Sequence, residues 1–417
     1  MQTYTHYKDS GIVWIGQIPE YWEVKKVKEI CSMNGRIGFR GYSQSDLVSE
    51  GEGAITISPS NIVENQMHFD NNTYLSWEKY FESPEIMVSN DDILIVKTGS
   101  TVGKVGIVKN LNIEATINPQ LLVIKNIKTN IQFTYEYLHS NIFYDFVKSN
   151  AIGSTIPTIS ETKIGNLPII YPPIEEQEAI ANFLDDKTAK IDALVQTKEQ
   201  QIEKLKELRQ AKIHQAVTKG LDANAPTKNS GVEWIGEIPA HWRVKKVKHL
   251  AYIKSGEAII NSQLKDIGKY EVFGGNGLMG YYDKYNVNGK NLIIGRVGAL
   301  CGNVRYIEDK KWISDNALIL KLINEKYYRF IDIALRAGDL NKLNTSNAQP
   351  LITGTKVLNF SISFPPIQEQ EQIVAYLDEV TGKIDQAIAQ KQEQITKLKA
   401  YRQSLINDVV TGKVKVC

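Results

Sequence analysis

The chain has 417 residues, 42% of them hydrophobic and 23% charged, with only 13 prolines, so it is long for a single core and too apolar to be disordered. A formal net charge of +2 excludes a uniformly basic polyanion binder, and no apolar leader or run of about 18 apolar residues suggests a signal peptide or membrane span. The three cysteines, Cys31, Cys301 and Cys417, are scattered without CxxC spacing, which suits a reducing cytoplasm and argues against a disulfide framework or a zinc site.

The first element is a Trp/Pro block, KDSGIVWIGQIPEYWEVKKVK at 8–28, repeated as KNSGVEWIGEIPAHWRVKKVK at 228–248 with 14 of 21 positions identical. Trp14, Trp22, Trp234 and Trp242 are read as seated in the fold rather than laid on DNA. The alternation in VKKVK fits a turn better than a strand, and its conformation stays open.

A variable segment follows. It carries Arg36 and Arg40 near its start, then short β-rich runs broken by glycines, DDILIVKTGSTVGKVGIVKN (91–110) and INPQLLVIKNI (117–127), then helical text at 134–149. TGSTVGKV at 98–105 imitates a phosphate-binding loop, but its spacing is one residue short and valine replaces the Mg²⁺-binding hydroxyl, so a glycine-containing β-turn is the better reading. Its Lys97, Thr98, Ser100, Thr101 and Lys104 are candidate DNA contacts.

Next comes a helical block at 171–220, YPPIEEQEAIANFLDD and onward, repeated at 364–413 with 24 of 50 positions identical. Proline pairs suit the helix starts and glycines the ends. Apolar positions step by 4 and 3 through Ile180, Leu184, Ile191, Leu194, Ile202 and Leu205, and through Ile373, Leu377, Ile384, Ile395, Leu398 and Leu405, with a 4-4 interruption around Lys198 and Lys391. Two helices with the same seam predict an intramolecular coiled coil.

The second variable segment, at 249–358, reads EVFGGNGLMGYYDKYNVNGKNLIIGRVGALCGNV over 271–304. Its GGNGLMG is followed by no helix, so a dinucleotide fingerprint fails. Asn276, Lys284, Arg296, Asn303 and Arg305 are the candidate DNA contacts, joined by Asn347 and Gln349 in a later loop. Residues 245–345 hold 17 Lys/Arg against 10 Asp/Glu, whereas 24–150 hold 12 against 14, so charge favours nucleic acid for the second segment only.

Neither the six histidines nor any Ser-centred elbow shows catalytic or metal spacing, so no catalytic residue and no metal ligand is assigned. Each globular segment is expected to be a compact α/β (α+β) domain. The boundaries are 1–165 and 223–358 for the domains, 166–222 and 359–417 for the long helices. If the two halves are equivalent, the end of the second helix should lie beside the first Trp/Pro block, as Gly220 lies beside the second.

The twice-written WIGxIPxxW block with VKKVK, the GGNGLMGY…IGRVGA…GNV run and the twice-written PPIxEQExI resemble, over essentially the whole chain, the specificity subunit of type I restriction-modification systems. The first variable segment departs from that run and resembles another class of target-recognition domain. The resemblance implies two target-recognition domains, separated by two antiparallel helices in a pseudo-twofold repeat. Each domain would read half of a bipartite site in double-stranded DNA, with the helices setting the spacer. It further implies no catalysis by the chain itself and docking of two methylation subunits that bring S-adenosylmethionine. Two restriction subunits would bring ATP and Mg²⁺. Two alternatives stay open: a DNA adenine methyltransferase, which the proline pairs suggest but a missing cofactor loop disfavours, and a coiled-coil scaffold with no DNA role.

Overall fold

The computed structural model describes residues 2–63, 66–298, 300–344 and 350–416. The chain forms two compact units, one made of Met1–Thr197 with Gln394–Cys417, the other of Lys198–Glu393.

In the first unit the Trp/Pro block is a hairpin, Tyr7–Asp9 against Gln17–Pro19. There follow β1 (Glu23–Lys26), β2 (Ser32–Gly35), β3 (Gly53–Ile57), β4 (Tyr74–Ser76), β5 (Ile93–Val96), β6 (Val105–Ile107), β7 (Ala115–Ile117), β8 (Leu121–Lys125), α1 (Ile131–Leu138), α2 (Asn141–Asn150) and β9 (Pro168–Tyr171). Then comes the long helix α3 (Ile174–Lys219). An antiparallel sheet β6-β5-β8-β2 packs against a second sheet in which β3 lies between parallel β7 and antiparallel β4. Two further short strands extend that second sheet, Met87–Val88 beyond β7 and Leu47–Val48 beyond β4.

The run Ile93-Leu94-Ile95-Val96 is apolar throughout because both faces of its sheet are covered. Leu94 and Val96 meet Ile55, Ile57 and Ile117 of the second sheet. Ile93 and Ile95 face Phe133, Tyr137 and the start of α3 at Ile180 and Leu184.

The second unit repeats the plan. The hairpin Thr227–Asn229 with Glu237–Pro239 precedes β10 (Arg243–Lys246), β11 (Ala251–Ser255), β12 (Tyr270–Gly274), β13 (Gly277–Tyr282), β14 (Asn291–Gly295), β15 (Val304–Ile307), β16 (Trp312–Ile313) and β17 (Ala317–Leu322). Helix α4 (Tyr328–Ala337), β18 (Ser361–Phe364) and the long helix α5 (Ile367–Val410) complete it. The sheet β11-β17-β14-β15 has the same order and antiparallel sense as β2-β8-β5-β6, and β12 again lies between a parallel and an antiparallel neighbour, β16 and β13. The α/β domain class is therefore as expected, and it is built twice.

VKKVK is where the sequence reading needs correction. It is a strand as far as Lys26 or Lys246, and its last valine, Val27 or Val247, is fully buried in a helical turn. Its partner is the segment just ahead of the proline pair: β1 pairs with β9 and β10 with β18, so each domain's entrance and exit are strapped together. Lys25 sits 3.4 Å above the Tyr171 ring and Lys245 4.2 Å above Phe364. The aromatic of YPPI and FPPI therefore seats a lysine at a strand end.

The same joint closes on the helices. Trp22 and Trp242 are fully buried, and their indole N–H groups donate to Glu176 Oε2 (3.1 Å) and Glu369 Oε2 (2.8 Å), the same glutamate of the repeated PPIxEQ. Trp234 stacks on Phe360, but Trp14 is 56% exposed and is not seated. Gly412 (φ 74°) packs so closely that a β-carbon there would lie 2.4 Å from the Pro19 ring, as Gly220 (φ 73°) packs on Trp242. The Tyr7 hydroxyl also donates to the Gly412 carbonyl, 3.2 Å away. The end of α5 thus lies beside the first block, as equivalence of the halves requires.

Along the long helices one seam residue is corrected. Leu194 is 51% exposed and Val195 is 7%, so the seam runs Ile191, Val195, Lys198, Ile202 in unbroken 4-3 steps. The 4-4 interruption therefore leaves Lys198 and falls earlier, at Leu184, because the buried position after it is Thr188 and not Lys187. Ile180, Leu184, Ile191 and Ile202 are buried, Leu205 half-buried; Ile373, Leu377, Ile384 and Leu405 are buried, Ile395 and Leu398 half-buried. In the first unit Asp192 of α3 pairs with Arg402 of α5 (3.2 Å), and in the second Arg209 of α3 pairs with Asp385 of α5 (3.0 Å). An offset of 193 residues maps each partner onto its counterpart. The early part of α3 meets the late part of α5 in the first unit, which is the antiparallel arrangement.

Candidate nucleic-acid interface

The glycine-bounded loops singled out in the two domains are one structure made twice. Lys97 N–H donates to the Gln120 carbonyl and Arg296 N–H to the Asn316 carbonyl. Ile159 N–H returns to the Lys97 carbonyl, as Ile352 N–H returns to that of Arg296. Gly99 and Gly298 donate to the carbonyls of Pro157 and Pro350, and Gly103 and Gly302 to those of Val96 and Gly295. All four glycines have φ between 81° and 111°, the left-handed region in which a side chain is strained. Residues 97–104 and, among the described residues, 296–298 with 300–303 thus share a backbone frame, braced by the 157–159 and 350–352 segments, while the side chains on it differ.

In the first domain the cations chosen from the sequence are used internally. Arg36 is only 5% exposed and donates to the Ile117 carbonyl (3.1 Å), Thr116 Oγ1 (3.0 Å) and the Arg40 carbonyl (3.3 Å), so its guanidinium is committed to bracing the core. Arg40 pairs with Glu85 at 3.3 Å. Lys97 pairs with Glu161 at 2.7 Å, its side chain 15% exposed, and Lys104 donates to the Ile62 carbonyl at 2.5 Å. What the frame presents outward is Ser100 and Thr101, with Thr98 half-buried and Gln120 exposed beside them.

The second domain is the reverse. Position for position, Ser255 stands where the first domain has Gly35, and Gly354 where it has Glu161. Arg296 therefore lacks the carboxylate that neutralises Lys97. Its Nη1 donates to Ser255 Oγ (3.2 Å), and its buried Nε has no hydrogen-bond partner among the described residues. Arg305 lies 5.2 Å from the Phe273 ring centroid and beside Gly277, where a β-carbon would come within 3.3 Å of Nη2. Asn276, at the turn between β12 and β13, approaches Gly298, and Asn303 is exposed at the end of the loop. The structure thus gathers Asn276, Arg296, Asn303 and Arg305 around one frame. Lys284 is exposed on the loop after β13, outside it, and Asn347 and Gln349 lie outside the described residues.

Four participants escaped the sequence reading: Glu161, Gln120, Ser255 and Asn316. Glu161 follows Lys97 by 64 residues, and no periodicity links them. Among the described residues no group of three or more His, Cys, Asp or Glu could hold a metal ion, and no helix is long and apolar enough to cross a membrane.

The profile of the type I restriction modification DNA specificity domain matches residues 19–204 and again 239–397. The chain belongs to this family. The MjaVIII specificity subunit of a type I restriction enzyme from Methanocaldococcus jannaschii is 25% identical, over 80% of this chain and 81% of that one. The StySPI specificity subunit from Salmonella potsdam is 23% identical, over 96% and 90%. Among solved structures, a chain from a study of type I R-M complex assembly and conformational transition superposes with a TM-score of 0.72 at 15% identity, over 95% of this chain and 99% of that one. The HsdS subunit from Thermoanaerobacter tengcongensis gives 0.51 at 15%, over 95% and 98%. These likenesses establish the fold.

Proposed function

We propose that this chain is the DNA-reading subunit of a type I restriction-modification complex, each domain reading one half of a bipartite, asymmetric site in double-stranded DNA. The observation that carries this is the loop frame built twice with different side chains: a common scaffold presents two different surfaces, as two unlike half-sites require. Seating each domain on α3 and α5 through the same Trp–Glu joint fixes the separation of the half-sites, and the paired helices dock two methylation subunits. The chain contributes no catalytic group of its own. Chemistry belongs to its partners, S-adenosylmethionine entering with the methylation subunits, ATP and Mg²⁺ with two restriction subunits, all in the cytoplasm of a prokaryote.

Exchanging residues 249–358 for the corresponding segment of another family member, with methylation subunits present, tests the reading. One half of the methylated sequence should change while the other half and the spacer length persist. Change of both halves, or of neither, would overturn it.

A further inference from the structure

We propose that Gln120 and Asn316 are a matched pair of base-reading residues, each presenting its side-chain amide to the N6/N7 edge of an adenine in its own half-site. The inference rests on the DNA-reading function above and assigns it to a position. Both residues occupy one place in the shared frame, since their carbonyls accept from Lys97 N–H (2.8 Å) and Arg296 N–H (3.0 Å). Apart from the two shared glycines and a cation at the first position, Lys97 or Arg296, the side chains of the frame differ: Thr98 against Val297, Thr101 against Leu300, Lys104 against Asn303. At this position the chemistry is the same, a primary amide on the short connection that enters β8 or β17, exposed in both cases.

An amide offers an acceptor and a donor side by side, which matches adenine N6–H and N7 in the major groove. Approach is open because glycines flank it. Gln120 Nε2 lies 3.4 Å from where a Gly99 β-carbon would be, and a β-carbon on Gly275 would crowd the Asn316 carbonyl at 2.9 Å. The side-chain amide of Asn316 has no hydrogen-bond partner among the described residues, while its backbone N–H donates to Ser314 Oγ (3.3 Å). Gln120 Oε1 accepts from Asn118 Nδ2 (3.2 Å), which holds the side chain and leaves Nε2 to donate outward. The surroundings differ in charge: Asn316 works beside Arg296, whereas Glu161 cancels Lys97 beside Gln120.

The test uses the full chain with its methylation subunits and reads the methylated motif by sequencing genomic DNA. Asn316→Ala should relax discrimination at one base position of one half-site, on the order of 5- to 150-fold, with the other half-site unchanged. Gln120→Ala should do the same in the other half. Asn316→Asp, an acceptor only, should shift that position away from adenine and toward cytosine, whose N4 donates. A motif unaltered in all three variants overturns the inference while leaving the DNA-reading function intact. So does a uniform loss at every position in a variant whose melting curve matches the parent, because that marks a supporting residue. If the parent complex itself methylates without sequence preference, the function proposed above fails first, and this inference with it.

Discussion

Trp242 is the most informative side chain to remove. It is fully buried, its ring is the floor on which Gly220 packs, and its N–H reaches Glu369 at the start of α5. Truncating a buried indole to alanine costs about 3–5 kcal/mol. The hydrogen bond to a carboxylate contributes roughly 1.5–3 kcal/mol of that in a buried setting. Because the Glu369 side chain is 34% exposed and also accepts from His241, the lower end applies. Trp242→Phe should therefore cost about 1.5–2.5 kcal/mol and Trp242→Ala at least about 3. For a unit the size of Lys198–Glu393, about 2–4 °C per kcal/mol places the alanine variant roughly 6–20 °C lower in Tm. Thermal denaturation followed by hydrogen exchange reads both the size and the place: protection should fall first in the 234–247 block and at the start of α5. The reasoning is refuted if Trp242→Ala melts with the parent, or if phenylalanine costs as much as alanine, since the ring would then contribute nothing beyond its N–H.

On the seam, Leu194→Lys should change stability by no more than about 0.5 kcal/mol, whereas Val195→Lys should cost more than about 2, by urea denaturation; equal effects would put the interruption back at Lys198. Matching seven-residue insertions after Lys198 and Lys391 preserve the 4-3 register and lengthen each helix by about 10 Å, so the spacer in the methylated motif should grow by roughly three base pairs with both half-sites unchanged. A permuted chain starting at Asn224, with the old termini joined by a short linker, should fold and assemble, because the Gly412 joint repeats the Gly220 joint; failure to fold would show the halves to be inequivalent. Burial pushes the Cys31 thiol up to about 12 and raises Cys301 as well, so at pH 8 both stay protonated, and mass spectrometry should find them unmodified by thiol reagents until the chain is unfolded.

Much of this architecture is legible in the sequence because it is written twice. Duplication exposes the Trp/Pro blocks, the helices and their equivalence without knowledge of any contact. The exact seam is less legible: Leu194 and Val195 are both apolar, and a step of 3 or 4 decides between them only when the neighbouring helix is in place. VKKVK misleads because half of it is strand and half helical turn, and its partner strand lies more than 100 residues onward. The interface is least legible. Composition marks Arg36, Lys97 and Lys104 as available cations, but tertiary partners far along the chain, Thr116, Glu161 and the Ile62 carbonyl, consume them. Arg296 differs from Lys97 chiefly because Gly354 stands where Glu161 would, a fact visible only after the strands are paired.

The central claim is that two unlike half-sites are read at a fixed separation by one chain. Methylome sequencing of the host with and without this gene measures it directly. A methylated motif made of two different short sequences around a non-specific spacer of constant length should be present with the gene and absent without it. A motif that persists in the deletion, or one that is contiguous and unsplit, would contradict the account.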